Sequence, residues 1–323
     1  MIDVPVLHGP WWRIAGDDPD VSPYTYVENT SSNTCDFTIF KDRYGTWRLI
    51  ACVRGTSAPG QRVFHHWTSD QLNKPDWRPE GLFEAPRGLR GGQPTSQQAP
   101  HGFCYEDKWY MFYNSGSGAR AQVSDDGAGW KDRQGNWSVL RNTDGSDLLF
   151  PIGRDVCLFH DPPRNRWMAH YCGTAGDGAS RHGAMVARTA PSLRGPWSPE
   201  ELLVRDGGNP ESPCVLQYNG HYYLWQQMSV FASDTPERFA GPPIQHMTGL
   251  CYSGRYAPEI VVDHGQYYLA GYGGGVWVAK MKWISKTAAQ IEQWRSTELA
   301  RMQREREAAD KRRAAAAGTH GKK

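Results

Sequence analysis

Five copies of one sequence unit follow each other along the chain, and a tandem repeat of this length restricts the fold more than any single motif. Each unit has a short apolar run, a polar turn, an aromatic-rich run, and a third run closing near a Trp or Phe. The first opens Asp36-Phe37-Thr38-Ile39-Phe40, turns at Tyr44-Gly45, continues Trp47-Arg48-Leu49-Ile50 and reaches Thr68-Ser69-Asp70. The second runs from Gln98-Ala99-Pro100-His101 through Trp109-Tyr110-Met111-Phe112-Tyr113 to Val123-Ser124-Asp125. The third opens Arg154-Asp155-Val156-Cys157, the fourth Glu211-Ser212-Pro213-Cys214, and the fifth Ala257-Pro258-Glu259-Ile260.

These starts, near residues 36, 99, 155, 211 and 257, repeat at a period that signals a propeller or another repeat array. Asn219-Gly220 and similar pairs between β-branched or aromatic runs are hairpin turns, and no helical periodicity separates them. The expected fold is all-β: a five-bladed β-propeller over residues 1–283, one antiparallel blade per copy. Abundant Trp, Tyr, Gly and Pro suit sheets packed face to face and joined by tight turns. From about Ile284 the character changes. Thr287 to Ala317 lack Gly and Pro and are rich in Ala, Glu, Arg, Lys and Gln, which reads as a helix. Residues 284–323 are therefore expected to form a charged, partly disordered helical extension, with Ile291, Trp294, Leu299 and Met302 as a docking stripe.

Three of the copies open on an acidic residue: Asp36, Asp155 and Glu211. Asp36 and Glu211 each lie nine residues before a turn glycine, Gly45 or Gly220, and Asp155 joins them if the third copy has an extra turn residue. The first strand of a blade lines the central channel, so equivalent strand ends meet at one mouth of it. Three carboxyls are thus expected to face one pocket. Such a trio suits the cleavage of a glycosidic bond, where a carboxylic acid protonates the departing oxygen and a carboxylate acts on the opposite face. A third carboxylate holds the acid's proton in place, because like charges close together disfavour double ionisation. Glu211 has the reach for the acid, Asp36 is the candidate base or nucleophile, and Asp155 the modulator. Arg154 points away on an ideal strand and joins the pocket only if the strand is bulged.

This layout resembles the five-bladed propeller superfamily of glycoside hydrolase families 43, 32, 68, 62 and 117, over most of residues 20–283. In family 43 the base Asp lies in the first blade, a modulating Asp in the third, and the acid Glu in the fourth before a Gly-Pro or Ala-Pro pair. Glu211-Ser212-Pro213 with Tyr218-Asn219-Gly220-His221-Tyr222-Tyr223 is similar to that last element. Arg154-Asp155 resembles the Arg-Asp-Pro motif of family 32, with Val156 in place of the proline, and Cys35-Asp36-Phe37 lacks the Asp-Pro of either family. The resemblance implies a glycosidase acting on an oligosaccharide or polysaccharide, inverting if it follows family 43 and retaining if it follows family 32. The alternatives are a sugar-binding propeller without turnover and a protein-interaction propeller.

Around the acids, His101 and Glu259 are expected at the mouths of blades two and five, and Trp11-Trp12 and Trp225 as aromatic faces for a sugar. His246 is a candidate for the metal-associated histidine of family 43. The chemistry requires no cofactor, and a structural calcium ion in the channel stays open. Ser57 to Gly60, Arg87 to Gly92 and Gly173 to Gly178 are candidate rim loops. The seven cysteines lack metal-ligand spacing and suit small buried thiols between blades, with a disulfide or metal site as the alternative. A net charge of +2 argues against a nucleic-acid partner, and no apolar stretch has transmembrane length. Met1-Ile2-Asp3-Val4-Pro5 has no basic region leading into an apolar core. That leaves a cytoplasmic protein, or a secreted or periplasmic one whose signal peptide is absent from this chain. No oligomeric state follows from the sequence.

Overall fold

The computed structural model describes residues 1–15, 19–27, 33–116, 118–173, 184–204, 211–247 and 255–319, without the side chains of 204, 299, 302, 305, 306 and 309–319. Residues 174–178 of the third candidate rim loop, Cys251 and the side chains of Leu299 and Met302 lie outside the described residues.

The chain folds into five antiparallel blades. Blade 1 comprises Thr34–Lys41, Trp47–Arg54, Arg62–Ser69 and Arg78–Leu82. Blade 2 comprises Gln98–Tyr105, Lys108–Ser115, Gly118–Ser124 and Val139–Leu140, with Phe150–Pro151 also pairing on its third strand. Blade 3 comprises Arg154–Asp161, Arg166–Gly173, Ala184–Ala190 and Glu201–Val204. Blade 4 comprises Pro213–Tyr218, His221–Gln226, Ser229–Ser233 and Gln245–His246. Blade 5 takes Tyr256–Asp263, Gln266–Tyr272 and Val276–Lys286 from the end of the chain and its outermost strand, Ile2–Ala15, from the beginning. The first strands touch their neighbours in blade order and close from blade 5 back onto blade 1.

The N-terminal strand closes the ring. It pairs antiparallel with Val276–Lys286, with Val4 opposite Ile284 and Trp12 opposite Val278. The register shifts between Leu7 and Trp11, where Gly9 takes a φ of 122°. Pro5 and Pro10 are tolerated because an edge strand has backbone N–H groups that need no ladder partner. Val4, Ile14 and Ala15 are fully buried, so the closure is packed as well as hydrogen-bonded.

The core sits between blades rather than within any one sheet. Trp47, Leu49 and Trp67 of blade 1 meet Ala270 and Val278 of blade 5. Phe112 and Ala121 of blade 2 meet Val156, Leu158 and Tyr171 of blade 3. Cys157 and Met168 of blade 3 meet Val215 and Leu224 of blade 4, and Trp225 and Val230 of blade 4 meet Leu269 and Met281 of blade 5. Each fully buried large side chain in these layers contributes about 1.5–3 kcal/mol by leaving water.

The last strand runs to Lys286, past the expected domain boundary at 283, and a helix spans Ala288–Thr319. Thr287 and Gln290 form a capping box: the Thr287 N–H donates to Gln290 Oε1 (2.8 Å) and the Gln290 N–H to Thr287 Oγ1 (3.2 Å). Ile291 packs into the core between blades 4 and 5, and the Arg295 guanidinium donates to the Pro243 carbonyl at 3.4 Å. The first turns of the helix are thereby fixed to the propeller. Among the described residues no helix is long and apolar enough to cross a membrane.

Candidate active site

Each first strand begins with an irregularity that aims one side chain at the axis. In blade 1 the ladder pairs Cys35 with Cys52 and Phe37 with Ala51, leaving Asp36 as the extra residue of a bulge. In blade 3 it pairs Arg154 with Cys172 and then Cys157 with His170, so Asp155 takes the same place. Blades 2 and 5 repeat this with Ala99 and Ala257. In blade 4 the ladder starts at Pro213 opposite Gln226, and the Gln227 N–H donates to the Glu211 carbonyl at 2.9 Å, which puts Ser212 in the bulge. Ala99, Asp155, Ser212 and Ala257 all adopt left-handed φ values, 46°, 59°, 53° and 50°. Such backbone is uncommon for residues other than glycine, and strain of this kind clusters at functional sites.

This register corrects the alignment drawn from the turns. Asp36 and Asp155 are equivalent, but Glu211 stands one residue earlier, where Cys35 and Arg154 stand. Counting back from the glycines slipped because blade 1 turns through Asp42 to Thr46, whereas blade 4 turns in two residues, Asn219 and Gly220. Glu211 nonetheless joins the same cluster. The Arg154 guanidinium donates through Nη2 to Glu211 Oε1, and its Nε lies 3.8 Å from Asp155 Oδ2. The bulge thus turns Arg154 into the site. Gly153 before it has no alternative, since a Cβ there would lie 2.0 Å from the Cys172 carbonyl oxygen.

Asp36, Asp155, His101 and Glu259 line one cavity at the axis, together with Ala99, Ser212 and Ala257 from the bulges. The cavity opens to solvent and measures about 310 Å³ when the space at its open mouth is counted. Asp155 is buried, and its Oδ2 accepts the Ser212 N–H at 3.1 Å and the Cys172 S–H at 3.6 Å. Burial raises its carboxyl pKa above the ordinary value, against the pull of Arg154 and of the Ser212 N–H. Asp36 keeps an edge open to the cavity, and its pKa lies well above the ordinary value. Burial is the main cause, followed by the Asp155 charge and the Cys52 thiol, with Arg62 opposing.

On another wall His101 and Glu259 form a charge pair, Nδ1 to Oε1 at 3.7 Å, while His101 Nε2 reaches the Leu158 carbonyl at 3.2 Å. Burial works to lower the His101 pKa, but the neighbouring Cys157 sulfur and Glu259 outweigh it and push it up to about 9. The raised value favours the imidazolium near neutral pH, with Nε2–H donating to the Leu158 carbonyl and the Nδ1 side facing the Glu259 charge.

Three sequence expectations end elsewhere. Trp225 is wholly buried between blades 4 and 5 against Tyr223 and Trp283, so it offers no face to a sugar. Trp12 lies on the outermost strand of blade 5, edge-on to Tyr268 and away from the cavity. His246 sits on the outermost strand of blade 4, near Glu298 and Arg301 of the helix, where burial lowers its pKa. The candidate rim segment Ser57 to Gly60 follows the second strand of blade 1, and Arg87 donates to the carbonyls of Pro59, Arg62 and Thr95 at 3.0–3.1 Å. Among the described residues no group of three or more His, Cys, Asp or Glu side chains is placed to hold a metal ion.

Cys52, Arg62, Cys172 and Tyr272 stand behind the carboxyls; the sequence marks the two cysteines as buried thiols of second strands and assigns none of the four a role at the site. Burial, then the charges of Asp36 and Cys35, raise the Tyr272 pKa. One signal was there: Cys52 follows Asp36 by sixteen residues and Cys172 follows Asp155 by seventeen, the return distance of a hairpin.

No protein-family model matches the sequence, and no curated protein does. Solved structures match the fold. A thermostable family-43 glycoside hydrolase superposes with a TM-score of 0.56 at 18% identity, covering 82% of this chain and 94% of that one. An α-L-arabinofuranosidase from Podospora anserina, in complex with cellotriose, gives 0.54 at 16% identity over 83% and 96%. The β-xylosidase RS223 gives 0.52 at 12% identity over 82% and 96%. The protein thus shares the five-bladed propeller fold of family-43 glycoside hydrolases, and at these identities the likeness is one of fold.

Proposed function

We propose that the protein is a glycoside hydrolase that cleaves a terminal glycosidic bond of an oligosaccharide or polysaccharide. The observation that carries this reading is that Asp36 and Asp155, from blades 1 and 3, line one open cavity, while Glu211 of blade 4 is linked to Asp155 beside it through Arg154. A shared fold with glycosidases adds support.

In this mechanism Asp36 is the base. A carboxylate whose pKa lies well above the ordinary range is a stronger base, and a catalytic pKa near the working pH is the efficient one. Asp155, held by Ser212 and Cys172, supplies the like charge that keeps the site from losing all its protons together. Glu211 is the acid. In the free protein its carboxylate is bonded to Arg154; substrate displaces that contact, and the carboxyl then takes up a proton from solvent and passes it to the leaving oxygen. His101 and Glu259 border the sugar: Glu259 accepts from its hydroxyls, and His101, whose Nε2 is held by the Leu158 carbonyl, supplies a charge beside them. The reaction inverts the anomeric centre, a choice supported by the likeness of the fourth-blade element to that of family 43.

The test is a screen of chromogenic arabinofuranosides, xylosides, fructosides and galactosides with the wild type and Glu211→Gln. Release of the chromophore from one of them, lost in the variant, is expected. Saturable sugar binding with no release would leave a binding propeller instead.

A further inference from the structure

The two blades that carry an aspartate in the bulge also carry a thiol behind it. Cys172, on the second strand of blade 3, is wholly buried opposite Arg154, and Cys52 occupies the same place in blade 1 opposite Cys35. Blades 2 and 5 fill this position with Asn114, opposite Gln98, and Tyr272, opposite Tyr256. In blade 4 it is Gln227, bonded to Glu211. We propose that Cys172 is a positioning residue for Asp155: its S–H fixes the carboxylate's orientation while adding little to the charge compensation that Arg154 and the Ser212 N–H already supply. This rests on the hydrolase reading above, in which Asp155 acts through its charge.

Three groups converge on Asp155 Oδ2: the Ser212 N–H at 3.1 Å, the Cys172 S–H at 3.6 Å and, at 3.8 Å, Arg154 Nε. Glu211 and Asp36 face the same carboxyl as like charges. A hydroxyl at position 172 would be a full-strength donor and would stabilise the ionised carboxyl further, whereas a thiol is a weak donor. The backbone leaves little choice of size. Gly153 packs against the Cys172 carbonyl, and Cys172 lies opposite Arg154 on one side and Met185 on the other. The thiol is sealed from the cavity, so it does not touch substrate, and its effect on turnover passes through Asp155.

The test compares Cys172→Ala and Cys172→Ser by the pH dependence of kcat. Removing a donor to the ionised form raises the pKa of the group that accepts it, and strengthening the donor lowers it. In Cys172→Ala the midpoint governed by Asp155 is expected to rise by about half a unit, the worth of one weak hydrogen bond. A several-fold loss of kcat at unchanged KM accompanies it. In Cys172→Ser the midpoint moves the other way. Midpoints that stay put, or move in the same direction in both variants, overturn the proposal.

A second readout needs no substrate. The infrared S–H stretching band of Cys172, assigned by its loss in Cys172→Ala, is expected to shift in Asp155→Asn, because the acceptor has changed. An unmoved band overturns the contact itself. A wild type that shows the band shift yet cleaves no glycoside rejects the hydrolase reading separately, and the order of midpoints is then read from the Asp155 carboxyl band in a pH titration.

Discussion

Arg154 and Glu211 occupy the same backbone position in adjacent blades and meet as an ion pair beside Asp155. One repeat position thus supplies both the cation and the acid, and the bulge residues next to them supply the remaining carboxyl and the backbone donor on it. Removing the cation leaves Glu211 and Asp155 facing each other uncompensated. Arg154→Ala is expected to lower kcat about 100-fold, the scale of losing a positioning contact on the reacting groups. The pair is partly exposed, so the stability loss stays near 1–2 kcal/mol in chemical denaturation. A variant with wild-type kcat would remove Arg154 from the site.

Asp36 makes the folded protein less stable as pH rises. Its folded-state pKa lies well above the ordinary 3.8, so the folded protein holds this proton where the unfolded chain has lost it. Stability from this group is fully present below about pH 3.8 and is lost as pH climbs through the raised folded value. Asp36→Asn removes the burden and is expected to raise the melting temperature at pH 7 by about 2 °C or more while abolishing turnover. The gain shrinks towards pH 4. Melting curves of both proteins across that range check it, and a variant that melts lower at pH 7 would contradict the assignment.

His101 acts in another window. Its pKa rises from 6.5 to about 9 on folding, so its contribution is complete below 6.5 and is lost as pH passes through about 9. The wild type is expected to lose more melting temperature between pH 7 and 9.5 than His101→Gln does, and parallel curves would count against a buried imidazolium.

Ring closure rests on the N-terminal strand. Ile14 is fully buried between blades 1 and 5, and Ile14→Ala is expected to cost about 2–4 kcal/mol by urea unfolding. Deletion of residues 2–15 exposes the edge of Val276–Lys286 and is expected to give aggregated protein.

The stereochemical expectation is tested by proton NMR of the first product formed. Inversion gives the anomer opposite to that of the substrate, and retention would point to Asp36 as a nucleophile.

The fold was legible because repeats and turns are local. Asn219-Gly220 and His264-Gly265 take positive φ at both residues, as their hairpins require. What the sequence concealed was long-range. Ile2–Ala15 pairs with a strand more than 260 residues away, and Pro5, Gly9 and Pro10 interrupt the alternation that would mark it. Trp225 reads as a free aromatic because Tyr222-Tyr223-Leu224-Trp225 are all buried: both faces of an inner strand are covered by neighbouring blades, so no alternation separates core from surface. Repeat position matched Asp36 with Asp155, but a one-residue bulge decides which neighbour enters the site, and Glu211 stands one position earlier. That is why Arg154 entered it and Glu211 was aligned one residue off.

The most direct test of the account is kcat for the best glycoside with wild type, Asp36→Asn and Glu211→Gln, each shown to be folded by its melting curve. The account expects turnover in the wild type and a loss of at least about 1,000-fold in each folded variant. Folded variants that keep wild-type turnover would contradict it.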